Sequence, residues 1–323
     1  MDGISPEKRN NAPVMDLYDA AKEVIRMKNS FVIPQGRVKP TPATIMLGAV
    51  CGDVAGSIYE NRNIKFKLAP DLLIGPGAEF TDDTVMTCAV AEGLRLGLSR
   101  AADNFLEDPD AEHVLYCALE NSLQVYGNRY PYAGYGGSFR RWLMSPNPQP
   151  YNSWGNGSAM RASYAGWIAR TLEEAHTLAS MSACVTHNHE EGIKGAVAVA
   201  GCIFLLRQGA TKDEVARYAA QHYDLGFTLD EIRPTYRFDV SCQGSVPQAI
   251  KAFLEGEDFA DVLSLAISIG GDSDTIAAIA GSIAEVIYPI PEPLKQQVLA
   301  RLDDHLRASL EDAVAYYHRR QGE

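Results

Sequence analysis

The chain has 323 residues, 46% of them hydrophobic and 22% charged, which is the composition of a soluble globular protein. Its formal net charge of −12 leaves no excess of cations to neutralise phosphates, which excludes a nucleic-acid binder and suits a partner that is cationic. The six cysteines (Cys51, Cys88, Cys117, Cys184, Cys202 and Cys242) show neither C-x-x-C pairs nor zinc spacing and read as small core residues of a reducing compartment.

The N-terminus has no hydrophobic signal core, and no apolar run approaches the ~18 residues of a membrane span. A cytoplasmic protein without membrane contact is expected. Residues 1–40 differ from the rest. Ser5–Pro13 is polar, and Val14–Met27 spaces Val14, Leu17, Ala20, Val24 and Ile25 as on one face of a helix. Pro34, Pro40 and Pro42 then break the pattern. The reading is an N-terminal arm over 1–40 and a main domain over 41–323. The arm's helix either packs on that domain or engages a partner.

From Thr44 onward helical patterns alternate with Gly-rich loops. Helices are expected over 44–59, 83–98, 111–125, 159–169, 172–185, 191–207, 212–221, 246–255, 259–269, 275–286 and 292–319. Leu72–Ile74 and Val240–Cys242 are too short to build a sheet. The expected fold class is therefore all-α, a compact bundle of helices.

Two acidic motifs stand out. Thr81-Asp82-Asp83-Thr84 precedes one helical pattern and Gly271-Asp272-Ser273-Asp274-Thr275 precedes another. Either could be an N-cap, because Asp and Thr accept bonds from the free N–H groups of a helix start. A cap needs one oxygen, however, and each motif offers at least three. Both helices continue as nearly uncharged stretches of small residues, which places their starts deep in the domain. Clustered carboxylates there repel unless a cation neutralises them. Carboxylate and hydroxyl oxygens are hard ligands that select Mg²⁺ or Mn²⁺ over Zn²⁺, and two clusters suggest a pair of divalent ions.

The ordered motifs resemble those of the ADP-ribosylglycohydrolases, the group related to dinitrogenase reductase-activating glycohydrolase. The resemblance spans roughly Thr44 to Pro291. It rests on the helix Gly48–Tyr59 ending at Glu60, on Thr81–Thr84, on Tyr151–Arg161, on Thr186-His187-Asn188-His189 and on Gly270–Thr275. It implies an all-α bundle with a binuclear Mg²⁺ or Mn²⁺ centre. One ion would take Thr81, Asp82, Asp83 and Asp274, and the other Asp83, Asp272, Asp274 and Thr275. Glu60 resembles a glutamate that lies near the metals. The implied reaction cleaves ADP-ribose from a protein side chain, most readily an arginine, through an oxocarbenium-like transition state. Asp82, Asp83 or Glu60 would accept the proton of the attacking water.

Around these motifs, Gly136, Gly137 and Ser138, and then Ser153, Gly155 and Asn156, can offer backbone N–H groups to phosphates. Trp154 or Tyr151 could stack on adenine. His187 reads as a ligand-facing residue bonded to phosphate or ribose, and His189 as structural. His113, His176, His222, His305 and His318 read as surface residues. Two other functions remain open at this level. One is an immunity protein whose arm at 1–40 binds an ADP-ribosyltransferase toxin. The other is a metal phosphohydrolase.

Overall fold

The computed structural model describes residue 31 and residues 36–40, 44–101, 106 and 108–322. The helix read over Val14–Met27 lies outside the described residues. Of the segment before the main domain, Phe31 packs edge-on against Tyr218 with ring centroids 6.0 Å apart, and Arg37 pairs with Glu214 and donates to the Gly209 carbonyl.

The described residues form fourteen α-helices and no strand, so the fold is all-α as expected. In chain order these are α1 (Leu47–Ser57), α2 (Asp82–Arg100), α3 (Pro109–Arg129), α4 (Gly137–Leu143), α5 (Ser163–Ile168), α6 (Leu172–Cys184) and α7 (Glu190–Arg207). They continue as α8 (Lys212–Ala219), α9 (Leu229–Ile232), α10 (Cys242–Glu255), α11 (Phe259–Ser268), α12 (Ser273–Ala284), α13 (Glu292–Leu299) and α14 (Asp304–Gln321). Side-chain caps start most of them. Asp108, Thr171, Ser241, Asp258 and Asp303 each accept a backbone N–H of the following turn, and Thr211–Glu214 and Thr228–Glu231 form reciprocal capping boxes.

Among the described residues the most extensive helix pairing is α1 on α12. Gly48, Gly52 and Gly56 recur every four residues and form a ridge without side chains. A Cβ on Gly52 would sit 2.0 Å from the Ala277 carbonyl oxygen, and one on Gly56 would sit 2.4 Å from the Asp274 Cα. Backbone thus lies on backbone. Every residue of α12 is buried, which explains why its sequence carries no surface face.

Three expectations need correction. The pattern over 292–319 predicts one helix, but the chain breaks at 300–303, where Leu302 is buried and Asp303 caps a new helix. The helix expected from Ala159 starts only at Ser163, after a single 3₁₀ turn at Asn156–Ser158 that follows an isolated bridge between Gly155 and Ser241. His176 and His222 are buried rather than on the surface, with His176 Nε2 2.8 Å from the Tyr218 hydroxyl. Histidine's apolar body allows this wherever its polar tip finds a partner.

Candidate metal centre and active site

The glycine ridge places the middle of α1 against the first turn of α12, and α2 starts beside both. Asp53, at the centre of α1, is fully buried and organises the start of α2. Its carboxylate accepts the Thr81 N–H at 2.8 Å, the Thr81 hydroxyl at 2.6 Å, the Thr84 N–H at 3.0 Å and the Thr84 hydroxyl. Two of the free N–H groups at that helix start are therefore served by a neighbouring helix, and Asp82 and Asp83 are released from capping. In the second motif Asp272 occupies the N-cap position of α12, yet its side chain makes no capping bond. It accepts instead from the Asn156 side-chain amide at 2.6 Å. Capping thus accounts for only part of each motif: Thr81 accepts the Asp83 N–H at 3.4 Å and Asp274 accepts the Thr275 N–H at 3.0 Å, while the Asp83 and Asp272 carboxylates serve no cap.

The carboxylates converge. Oxygens of Asp53, Asp83 and Asp274 all lie within 4.8 Å of one another, as do those of Glu60, Asp272 and Asp274. Asp274 belongs to both groups, so the two acidic clusters adjoin through it. Thr275 donates to Asp83 Oδ2 at 3.1 Å, while Asp83 Oδ1 is buried without a hydrogen-bond partner. Such an orphaned oxygen costs free energy unless something binds it. Together with the all-oxygen donor set, this fits hard divalent cations.

Electrostatics point the same way. Burial, then repulsion from neighbouring carboxylates, holds Asp83 and Asp274 well above the usual range. Asp82, half-buried, is pushed up to about 7 by burial and by Asp53. Burial also raises Asp53, Asp272 and Glu60. The cluster is poorly stable as a set of free anions and well suited to compensation by positive charge.

A cavity of about 440 Å³ opens above the cluster, and its lining includes Glu60, Thr81, Asp82, Asp83, Asp272, Asp274 and Thr275. Most of the proposed ligand-binding residues line it too: Gly136, Gly137, Ser138, Tyr151, Ser153, Gly155, Asn156 and His187. At Gly136 an added Cβ would meet nothing within 4 Å, so this backbone is open to a ligand's approach. Trp154 is the exception. It is 54% exposed, turns away to pack edge-on against His189 at 5.5 Å, and does not line the cavity. Asn156 is anchored between Ser245 and Asp272, so its amide positions a carboxylate as well as lining the wall.

Sequence reasoning missed four residues. Asp53 is one; its signal is a lone carboxylate inside the small-residue stretch Gly48–Gly56. Arg161, 1% exposed, reaches the cavity from behind. Phe238 and Val240 line the mouth while half exposed, and nothing in their local pattern marks them.

Among the described residues no helix is long and apolar enough to cross a membrane. The family model for ADP-ribosylglycohydrolase matches residues 43–323. The chain is 27% identical to human ADP-ribosylhydrolase ARH3 over 78% of this chain and 87% of that protein. It is 25% identical to the ADP-ribosylarginine hydrolase Tri1 of Pseudomonas putida (strain GB-1) over 76% of this chain and 70% of that one. A solved structure titled ADP-ribosylglycohydrolase-related protein complex superposes with a TM-score of 0.59 at 22% identity, covering 84% of this chain and 95% of that chain. This chain belongs to the ADP-ribosylglycohydrolase family.

Proposed function

We propose that the protein hydrolyses ADP-ribose from ADP-ribosylated protein side chains, arginine-linked in the first instance, with two Mg²⁺ or Mn²⁺ ions. The observation that supports this most is the pair of carboxylate groups sharing Asp274 on the floor of a cavity walled by glycine loops. Thr81, Asp82, Asp83, Asp272, Asp274 and Thr275 would hold the ions, with Asp53 orienting Thr81. Bound there, the cations would supply Lewis acidity at the ribose hydroxyls and at a water.

The residues of the chain do the rest. The loop at 136–138 receives the diphosphate through backbone N–H groups, the loop at 153–156, whose Gly155 and Asn156 N–H groups donate to Ser153 and Val240, walls the cavity, and Tyr151 and His187 border the ribose and base. Water attacks the anomeric carbon, the bond from that carbon to the side-chain nitrogen breaks, and the leaving nitrogen takes a proton. Glu60 or one of the less enclosed carboxylates accepts the proton the water loses. The acidic cavity favours a cationic leaving group such as a guanidine, and the similarity to Tri1, whose name specifies arginine, supports the same linkage. The six cysteines form no disulfide among the described residues, which agrees with a reducing cytoplasm.

The test is incubation with arginine- and serine-linked ADP-ribosylated proteins, with and without EDTA. Release of free ADP-ribose from the arginine-linked substrate, abolished by EDTA and restored by Mg²⁺ or Mn²⁺, is expected. Release of inorganic phosphate instead would overturn the reading in favour of a phosphohydrolase.

A further inference from the structure

Behind the wall of the cavity lies a short chain of polar groups. Arg161 is 1% exposed, Thr186 is fully buried, and His187 is 6% exposed. One terminal nitrogen of Arg161 donates to the Thr186 hydroxyl at 2.8 Å and to the Ser182 carbonyl at 3.0 Å. The Thr186 hydroxyl lies 2.6 Å from His187 Nδ1. The far nitrogen of the same ring, Nε2, faces the loop at Gly155 and Gly157, where added Cβ atoms would lie 3.4 and 3.1 Å from it. Both glycines line the cavity.

Proton counting and the Arg161 charge together favour one direction for this chain. A hydroxyl has one proton and two lone pairs, and a guanidinium only donates. Arg161 therefore fills one lone pair of Thr186. The Tyr151 phenol, kept protonated by burial, lies beside the same hydroxyl. The hydroxyl's own proton is free to go to His187 Nδ1, 2.6 Å away, and this direction leaves Nδ1 bare. The positive charge of Arg161 on that side also disfavours an N–H there. The remaining ring proton belongs on Nε2, pointing to the cavity. Burial, then Arg161, holds the imidazole's pKa well below its ordinary value, so the ring is neutral at working pH.

We infer that Arg161 and Thr186 are positioning residues that lock His187 in the Nε2–H tautomer, making it a fixed hydrogen-bond donor to an oxygen of the ligand in the cavity. A free neutral histidine can present either a donor or an acceptor at that position. A ligand rich in phosphate and ribose oxygens calls for the donor. The identity of that ligand rests on the proposed function; the tautomer does not.

The experiment separates the two. Full-length protein labelled with ¹⁵N-histidine is examined by long-range ¹H–¹⁵N correlation, with His187 assigned from the His187→Gln spectrum. Wild type and Thr186→Ser, which keeps the hydroxyl, should show a single tautomer with the proton on Nε2. Thr186→Val should show a mixture of tautomers, and Thr186→Ala serves if the valine variant does not fold. Binding of free ADP-ribose should weaken about tenfold in Thr186→Val, the loss of roughly one hydrogen bond, and recover in Thr186→Ser. A proton on Nδ1 in the wild type, or an unchanged single tautomer without the hydroxyl, overturns the relay. The expected tautomers with no ADP-ribose binding to wild type would uphold the relay and overturn the ligand.

Discussion

At the scale of single residues, what decides function is how each carboxylate is compensated. Asp274 lies in both acidic groups, so its loss should disturb both ion positions at once. Asp274→Ala is expected to abolish metal-dependent hydrolysis and to lose at least one tightly bound ion. Isothermal titration with Mn²⁺ and release of ADP-ribose from ADP-ribosylarginine would measure this, and normal turnover would sink the site assignment. Glu285 is a contrasting case outside the site. It caps the start of α1 from α12, accepting the Gly48 N–H at 2.9 Å and the Thr44 hydroxyl at 3.2 Å. Burial pushes its pKa up to about 8. The folded value is above the unfolded one, so its contribution is complete below the unfolded pKa and is lost as pH rises towards 8. Glu285→Gln should therefore gain stability relative to wild type between pH 5 and pH 8, by on the order of a few kcal/mol. Urea melts at several pH values test this, and a pH-independent difference would refute the assignment.

At the scale of elements, the glycine ridge of α1 is the main constraint. Gly52→Ala would drive a methyl into the Ala277 carbonyl, and backbone cannot yield as a flexible side chain can. A cost of about 3 kcal/mol is expected, at the upper end for overpacking, read as a lower denaturation midpoint with unchanged slope. Much of this architecture was legible in the sequence. The apolar spacing marked most helices, and the oxygen-rich motifs before two uncharged helices marked the buried acidic cluster, because clustered carboxylates leave a compositional trace. The break at 300–303 was not legible, since an Asp cap inside an amphipathic run looks like one more polar position. Asp53 was missed because a lone carboxylate reads as a solvated helix face until the partner helix is known. Ring type alone leaves Trp154 and Tyr151 as equal stacking candidates; only Tyr151 lines the cavity, because Trp154 packs against His189.

At the scale of the whole molecule, the proposed ion binding is expected to be linked to folding. Carboxylates raised by burial bind protons and cations in competition, so the stabilisation supplied by Mg²⁺ or Mn²⁺ should grow as pH rises from 5 to 8. The difference in melting temperature with and without metal at each pH measures it; a difference that shrinks with rising pH would contradict the model. The ridge between α1 and α12 has one more consequence. Asp53, which sets Thr81, and Asp274 ride on helices in backbone contact at Gly52 and Gly56, so the spacing between the start of α2 and Asp274 is set by backbone rather than by flexible side chains. Cations are distinguished largely by radius, and a gap that cannot widen favours a small ion over a large one. Loosening this contact should therefore blunt discrimination against Ca²⁺ before it costs the fold.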